Sequence, residues 1–512
     1  MADSWATSTE LRDFHRSLDL HVDVRAGTRG AGAALTGSLR DAVRTGRLAP
    51  GTRLPSSRAL AADLGVARNT VADAYTELVA EGWLTARQGS GTRVAARSEP
   101  RRTGARAKAQ THAGARTRAP AHEPPPHPLA PQVTYNLLPG APDAARFPRA
   151  AWAAAARRAL TAAPSAAFGH QGPGGRGELR RALAGYLARA RGVYAEPERI
   201  VVCAGFTGGV RLLAEVLRAE GVRRVAVEPY GLGLHRRLLT DAGLRTVPLP
   251  YDDEGIATAA LPATGAGAVL LTPAHQFPTG VPLAPDRRAA AVDWARATGG
   301  VVLDDDYDGE FRYDRQPVGA LQSLDPEHVA HLGTVSKSLS PALRLGWMVL
   351  PERLLRGVHG VQSLSRTPPG VVDQLTLAEF LDSGGYDRHV RAARQRYRRR
   401  RDRLVAELAR RAPRVTVTGI AAGLHAVVRL PPGTERRVLA RAAREGLAVT
   451  RLGAYEYGNA AWEEGGDFTA PRPAGEAPGT QGEALVVGYG TPPDHLYPGA
   501  LEALCRVLET ET

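Results

Sequence analysis

HLGTVSKSLSPALRLG, residues 331–346, holds Lys337, one of only two lysines in a 512-residue chain whose Lys and Arg together number 66. Guanidinium and ammonium groups exchange freely on a solvated surface, so a chain written almost wholly in arginine does not need lysine for bulk charge. What arginine cannot do is add to a carbonyl as a nucleophile. Its pKa stays far above neutrality, whereas a lysine amine loses its proton when its site desolvates it. The other lysine, Lys108, lies in an Arg- and Pro-rich tract and reads as plain charge. A surface lysine kept by chance is the competing reading of Lys337, and the surrounding motifs must decide.

Thirty residues upstream stands VVLDDDYDGEF, 301–311. Its spacing of Asp304, Asp306, Asp308 and Gly309 imitates the start of a calcium loop, but the twelfth position is Arg315 rather than a bidentate glutamate, and the preceding residues read as strand rather than helix. A carboxylate at a strand's end, ahead of a lone lysine, suits a pyridine cofactor better. The aspartate keeps the ring nitrogen protonated, which makes the ring an electron sink, while the lysine holds the aldehyde. Thr334, Ser336 and Ser338 offer hydroxyls to a phosphate monoester and Arg344 a planar cation. The glycine-containing turn Gly205–Gly209, with Phe206 and Thr207, leads into the helix VRLLAEVL, whose N-terminus attracts anions.

These residues belong to a larger pattern. RIVV at 199–202, RVAVE at 224–228, AVLLT at 268–272, VVLDDDY at 301–307 and HVAHLG at 328–333 are continuous apolar runs separated by helical stretches. Such runs predict a mostly parallel sheet covered on both faces, with ligands gathered beyond the carboxyl ends of its strands. Gly205, Glu228, His275, Gln276, Asp304 to Tyr307 and Thr334 to Lys337 follow those ends.

The N-terminal part is a separate compact domain. Within LTGSLRDAVRTGRLAPGTRLPSSRALAADLGVARNTVADAYTELVAEGWLTARQGSGTRV, 35–94, Ser56 and Ser57 suit a helix N-cap, and LGVARNTV makes a tight turn at Gly65. A second helix from Ala67 to about Glu81 then presents Arg68, Asn69 and Thr70 to base edges in a major groove, with Leu78, Val79 and Trp83 kept in the core. WLTARQGSGTRV reads as a wing, a Gly-rich turn between short strands, with Arg87 and Arg93 directed at phosphates or the minor groove. An ordinary three-helix domain with a hairpin is the alternative. Between the two domains, ARSEPRRTGARAKAQTHAGARTRAPAHEPPPHPLAPQ is basic, Ala/Pro-rich and poor in large apolar residues, and reads as a flexible linker.

Composition is consistent with these parts. A 43% hydrophobic fraction supports sizeable cores, and a net charge of +14 suits a polyanionic partner, although an arginine-rich genome produces the same bias. Cys203 and Cys505 match no metal or redox spacing, the N-terminus lacks the apolar core of a signal peptide, and no run is long enough to span a bilayer. The expectation is a cytoplasmic protein with no membrane association.

The small domain closely resembles the winged helix-turn-helix of GntR-type bacterial repressors. That resemblance implies that Arg53, Ser56, Ser57, Arg58, Arg68, Thr70 and Gly91 lie at or near operator DNA. Residues 134 to about 508 resemble the fold-type I aminotransferases through HQFPTG at 275–280, DDDYDGEFRY at 304–313 and GTVSKSLSPALRLGWMVLP at 333–351. The two in this order resemble the MocR family of GntR-type regulators. The resemblance implies an α/β large domain with a mostly parallel sheet, a small C-terminal α/β subdomain, and pyridoxal 5'-phosphate (PLP) as cofactor. It assigns Lys337 to the cofactor's aldehyde, Asp305 to the pyridine nitrogen, Tyr307 to the ring hydroxyl, and Arg344, Thr334 and Ser336 to the phosphate. It also implies a head-to-tail homodimer.

There are departures from the family pattern. EPYGL stands for EDPGY, so Leu232 replaces the tyrosine that stacks on the ring, with Tyr230 or apolar stacking as its substitute. His170 replaces a tyrosine that reaches the partner subunit's phosphate, and Phe277 replaces the asparagine beside the ring oxygen in true aminotransferases, a change shared with the regulators. Arg236 and Arg451 are the candidates for an effector's carboxylate. The expected organisation is a DNA-binding domain at 10–95, a linker at 96–132 and an effector domain at 133–512. The function expected is transcriptional regulation sensed through PLP or an amine effector, with little or no multiple-turnover transamination. The rivals are a genuine aminotransferase with an accessory DNA-binding domain and a DNA-binding protein with an empty, degenerate pocket.

Overall fold

In the computed structural model the described residues are 31–44, 47–49, 51–80, 83–87, 91–95, 133–313, 319–365, 369–458 and 482–511. The expected linker at 96–132, the first part of the expected DNA-binding domain at 10–30 and the wing tip at 88–90 lie outside them. Contacts divide the chain into two compact units, 1–119 and 120–512.

The first unit contains helices α1 (Ala31–Arg44), α2 (Ser57–Leu64) and α3 (Arg68–Ala80), followed by strands β1 (Leu84–Arg87) and β2 (Gly91–Val94) paired antiparallel. Its boundaries follow from local chemistry. The Ser56 hydroxyl accepts from the Ala59 amide, which satisfies one orphan donor at the start of α2. At the other end Gly65 takes a left-handed φ of 66° that ends the helix and allows the turn into α3. Leu35, Leu39, Leu54, Leu60, Val71 and Leu78 are buried in one core, and the Tyr75 hydroxyl donates to the Pro55 carbonyl at 3.0 Å.

The second unit is built on a seven-stranded sheet. Its strands are β3 (Ile200–Cys203), β4 (Arg224–Val227), β5 (Arg245–Pro248), β6 (Ala268–Leu271), β7 (Val301–Asp305), β8 (Val329–Thr334) and β9 (Gly346–Val349), in the spatial order β3-β9-β8-β7-β6-β4-β5. Every pairing is parallel except those of β9, which is antiparallel to both β8 and β3. The expected strand runs therefore all form, and β9 is inserted among them. Most central strands are buried along their length, as a sheet covered on both faces requires. The covering helices include α4 (Arg149–Ala162), α5 (Gly177–Arg191), α6 (Gly205–Ala219), α7 (Gly233–Asp241) and α8 (Pro285–Thr298).

The C-terminal subdomain carries an antiparallel four-stranded sheet of β10 (Thr416–Thr418), β11 (Ala426–Arg429), β12 (Thr450–Arg451) and β13 (Ala484–Val487), in the order β10-β11-β13-β12. Its core is completed by the 27-residue helix Gly385–Arg411 and the terminal helix Tyr497–Glu511. One expectation needs adjusting: α6 already begins at Gly205, so Gly205 to Gly209 form the first helical turn rather than a loop ahead of it.

Candidate functional site

The carboxyl ends of β3, β4, β6, β7 and β8 open on a cavity of about 420 Å³. Lys337, Asp305, Tyr307, Thr334, Ser336, Arg344, Phe206 and Thr207 all line it, although they come from separate parts of the chain. Lys337 follows β8 in a tight turn, its amine donating to the Gly140 carbonyl. Burial pulls that amine below the ordinary lysine pKa, while the Asp305 and Asp308 carboxylates pull it part of the way back. A neutral amine, the nucleophilic form, is therefore more accessible here than at a surface.

Asp305 ends β7. Five acids crowd residues 304–310, and among them Asp305 is the exception. Asp304 accepts from the Leu321 amide at 3.0 Å and lies 3.2 Å from His331 Nδ1. Asp306 takes both arms of Arg191 at 2.5 and 2.8 Å. Asp308 meets His275 Nδ1 at 2.8 Å, and Glu310 accepts from Tyr186 and Tyr386, each at 3.1 Å. Asp305 Oδ1, by contrast, is buried without a hydrogen-bond partner among the described residues. Its pKa is driven well above the usual carboxylate range, first by burial and then by Glu228, Asp304 and Asp306, against the opposing charge of Lys337. A ring nitrogen that carries a proton is the kind of group that would complete it.

At the far end of the cavity the backbone closes in. Gly205 has φ 71°, and a Cβ there would lie 3.4 Å from the Arg344 guanidinium carbon. Arg344 itself is held at φ 51° and donates to the Ala204 carbonyl at 2.7 Å. Thr334 Oγ1 and Ser336 Oγ are 2.9 Å apart. Hydroxyls, a guanidinium and the N-terminus of α6 thus converge where an anion would sit.

Between the two ends, Tyr230, Leu232, Phe277 and Tyr455 supply an apolar wall. Leu232, which stands in place of the family's stacking tyrosine, lines the cavity, and Tyr230, weighed as its substitute, lines it as well. Of the two arginines weighed for a carboxylate, Arg236 lines the cavity, donating to the Glu456 carbonyl at 3.3 Å and lying over the Tyr457 ring. Arg451 is buried in β12, outside the cavity lining. His170 lines a different cleft together with Gln171, Gln362 and Ser363.

Sequence reasoning missed several lining residues. Glu228, expected only to follow a strand end, accepts from Thr272 Oγ1 at 2.5 Å, and burial raises its pKa to about 7. His235, in the first turn of α7, packs on Phe206 with ring centroids 4.6 Å apart, and burial lowers its pKa to about 3. Thr491 and Gly140 arrive from distant segments. The only signal for His235 was its position one turn beyond the departing EPYGL motif.

In the first unit, Arg53, Ser56, Arg58, Arg68 and Asn69 are exposed, and Ser57 and Thr70 are half-buried. Gly91 has φ 78°, and a Cβ there would come within 3.3 Å of the Arg53 side chain. Arg93 is tied to the Gly51 carbonyl at 3.0 Å. Arg87 pairs with Gly91 through the backbone of β1 and β2. The start of α3 thus offers its polar residues to solvent while Val71, Ala74, Tyr75 and Leu78 face inward.

Fold and site together define a winged helix-turn-helix joined to an aminotransferase-type domain. Residues 32–94 match the family model of bacterial regulatory proteins of the gntR family, and residues 136–462 match that of aminotransferase class I and II. Similar proteins include the HTH-type pyridoxine biosynthesis transcriptional regulator PdxR of Corynebacterium glutamicum, 35% identical over 451 residues, covering 88% of this chain and 93% of that one. The probable rhizopine catabolism regulatory protein MocR of Rhizobium meliloti is 34% identical over 417 residues, covering 79% and 83%. Among solved structures, an archaeal alanine:glyoxylate aminotransferase superposes with a TM-score of 0.63 at 23% identity, over 74% of this chain and 91% of that one. The chain belongs to the MocR-type family of HTH regulators, in which a GntR reader is fused to an aminotransferase-fold domain. Among the described residues, no helix is long and apolar enough to cross a membrane.

Proposed function

We propose that this protein is a transcriptional regulator that binds double-stranded operator DNA through its winged helix-turn-helix and holds PLP in the large-domain cavity. On this reading occupancy by PLP or an amine effector controls the affinity for DNA. The observation that carries the reading is Asp305: a buried carboxylate oxygen without a partner among the described residues, at the end of β7, in the same cavity as Lys337, the one lysine among the described residues. The PdxR relative, a regulator of pyridoxine biosynthesis, supports a ligand of the same chemistry.

When bound, PLP supplies an aldehyde for amines and a ring that withdraws electrons. The chain's residues do the rest. Lys337 would hold the cofactor's aldehyde carbon, its amine favoured in the neutral, nucleophilic form by burial. Asp305 holds the ring nitrogen's proton. Burial drives the Asp305 carboxyl well above the usual carboxylate range, so pairing with a protonated ring nitrogen would relieve the cost of a buried charge there. Arg344, Thr334, Ser336 and the first turn of α6, Gly205 to Thr207, bind the phosphate. Tyr307 would hold the ring oxygen, and the apolar wall around Leu232 and Phe277 would keep water out. Arg68, Asn69 and Thr70 read bases, while Arg53, Ser56, Ser57, Arg58, Arg87 and Gly91 position the domain on the phosphate backbone.

An amine that displaces Lys337 changes charge and contacts inside the cavity, which is what a ligand must do to favour one state over another. Efficient transamination needs a stacked ring, a tuned ring oxygen and a fixed substrate carboxylate. Leu232 and Phe277 weaken the first two, so turnover is slow or absent. The protein works in the cytoplasm as a homodimer whose contact includes the His170 cleft, flanked by the exposed side chains of Phe168 and Leu364.

Borohydride reduction of PLP-loaded protein followed by peptide mapping tests the cofactor reading. A pyridoxyl group on the Lys337 peptide is expected; an unmodified Lys337 peptide at saturating PLP would refute it.

A further inference from the structure

The 27-residue helix Gly385–Arg411 carries eleven arginines against three acids, a formal +8 in a chain whose whole net charge is +14. Part of that charge is structural. Arg400 is buried, paired with Asp494 and lying 4.8 Å over the Tyr497 ring. Arg394 donates to the Glu310 carbonyl at 2.8 Å, Arg410 pairs with Glu407, and Arg411 pairs with Glu502 and Glu509. The proposed function uses none of the rest. Arg388, Arg391, Arg399 and Arg403 are exposed and, among the described residues, in no ion pair. At about 100° per residue they fall within an arc of about 120° around the helix. Tyr386, Val390, Ala393, Tyr397, Leu404 and Leu408, all buried, occupy the opposite side. Within the arginine arc stands one carboxylate, Asp402, an exposed partner of Arg398 at 3.8 Å.

A face of unpaired like charges weakens the helix that carries it. Arg388 and Arg391 stand at i,i+3, and Arg399 and Arg403 at i,i+4, spacings at which equal charges repel. The core engages only the other side of this helix, so folding does not call for arginine here, and the repulsion falls when a polyanion lies along the face. We propose that this face is a second DNA-binding surface, which grips the phosphate backbone of duplex DNA without reading its bases. This rests on the DNA-binding reading given above. Because reader and helix belong to one chain, a duplex held by the first is present to the second at high effective concentration. The length suits it. From Arg388 to Arg403 the helix runs about 22 Å, and a duplex presents one phosphate per strand in about every 3.4 Å, so about six phosphates of one strand lie within reach. A membrane surface is the other extended polyanion to weigh. Helices that bind lipid headgroups sink an apolar side between them, and the apolar side of this helix is already committed to the core.

The test is the salt dependence of binding to a mixed-sequence DNA duplex of about 60 base pairs, read by fluorescence anisotropy with the full-length protein. Wild type is compared with a triple variant carrying Arg391→Gln, Arg399→Gln and Arg403→Gln. The triple variant is expected to bind at least about tenfold more weakly near 0.1 M salt, and its plot of log affinity against log salt should be shallower by about 2–3, close to 0.9 for each phosphate contact removed. Lysine at the same three positions should keep the wild-type slope, because charge is what grips a phosphate. In urea unfolding the glutamine variant should be no less stable than wild type, since it loses only repulsion. An unmoved slope and affinity in the glutamine variant would overturn the proposal. So would an unmoved slope on DNA together with lost binding to phosphatidylserine vesicles, which would assign the face to a membrane. If the triple variant does not fold, Arg391→Gln alone decides, with an expected change in slope of about 0.9. A wild type that binds no duplex DNA would fail the DNA-binding reading itself. Wild-type binding with the slope unmoved by substitution would fail only this inference.

Discussion

His425 and His235 should make the effector domain sensitive to mild acid. His425 is buried beside the cavity and His235 half-buried in its lining, and desolvation, with the charges of Lys337 and of His275 or Arg236, lowers each pKa to about 3. In the unfolded chain each returns to about 6.5. The folded value is the depressed one, so the stability each histidine contributes is fully present above 6.5 and is lost as pH falls toward 3. Between pH 7.5 and 5.5 the unfolded histidine becomes about tenfold harder to deprotonate while the folded one stays neutral, which costs about 1.4 kcal/mol per residue. Glu228 works the other way. Its folded pKa of about 7 means that the folded state takes up a proton in this window, adding stability of similar size. The wild-type curve alone therefore mixes opposing effects, and a substitution separates them. Urea unfolding of wild type and His425→Gln, each at pH 7.5 and 5.5 without added ligand, should show the variant gaining about 1.4 kcal/mol on wild type at the lower pH. A relative change below about 0.5 kcal/mol would refute a neutral, buried His425.

Two further outcomes follow from other parts of the structure. Arg68→Ala should weaken operator binding by about 1–3 kcal/mol and relax sequence preference, because Arg68 is exposed at the start of α3 where a recognition helix meets bases; unchanged affinity in a quantitative gel-shift would place the reading surface elsewhere. Arg191→Ala should cost about 3–5 kcal/mol of stability in urea unfolding, since it leaves the Asp306 carboxylate buried and unpaired beside Asp305, and a loss under about 1 kcal/mol would contradict the buried pair.

Much of the site was legible because its chemistry restricts residue choice. A lysine in an arginine-rich chain, an aspartate at a strand's end and an arginine after a serine-rich turn each have few substitutes. The winged reader was legible for a local reason: Ser56, Gly65 and Gly91 have their consequences within a few residues. What escaped was set by distance or by symmetry. The run GWMV is buried at every position, and a strand covered on both faces carries no alternation that reveals its direction, so the antiparallel insertion of β9 was hidden. Gly333 is glycine because a Cβ would lie 2.4 Å from Trp347 Nε1 on that neighbouring strand, a reason visible only once the two strands are paired. Arg191 reaches Asp306 across 115 residues of sequence, and nothing in either segment names the other. Asp305 was legible as a candidate cofactor ligand. That it alone among its acidic neighbours keeps a buried oxygen without a partner was not, because satisfaction is a property of the packed site.

The central claim is that the aminotransferase-fold domain controls DNA binding through Lys337. Operator affinity measured for wild type and Lys337→Ala, with and without PLP and candidate amines, tests it most directly when keto-acid production is followed in the same samples. The account predicts that PLP or an amine shifts wild-type affinity severalfold, that Lys337→Ala loses the shift while still binding the operator, and that turnover stays slow. Rapid multiple turnover, with DNA affinity unmoved by every ligand, would contradict it and identify an aminotransferase instead.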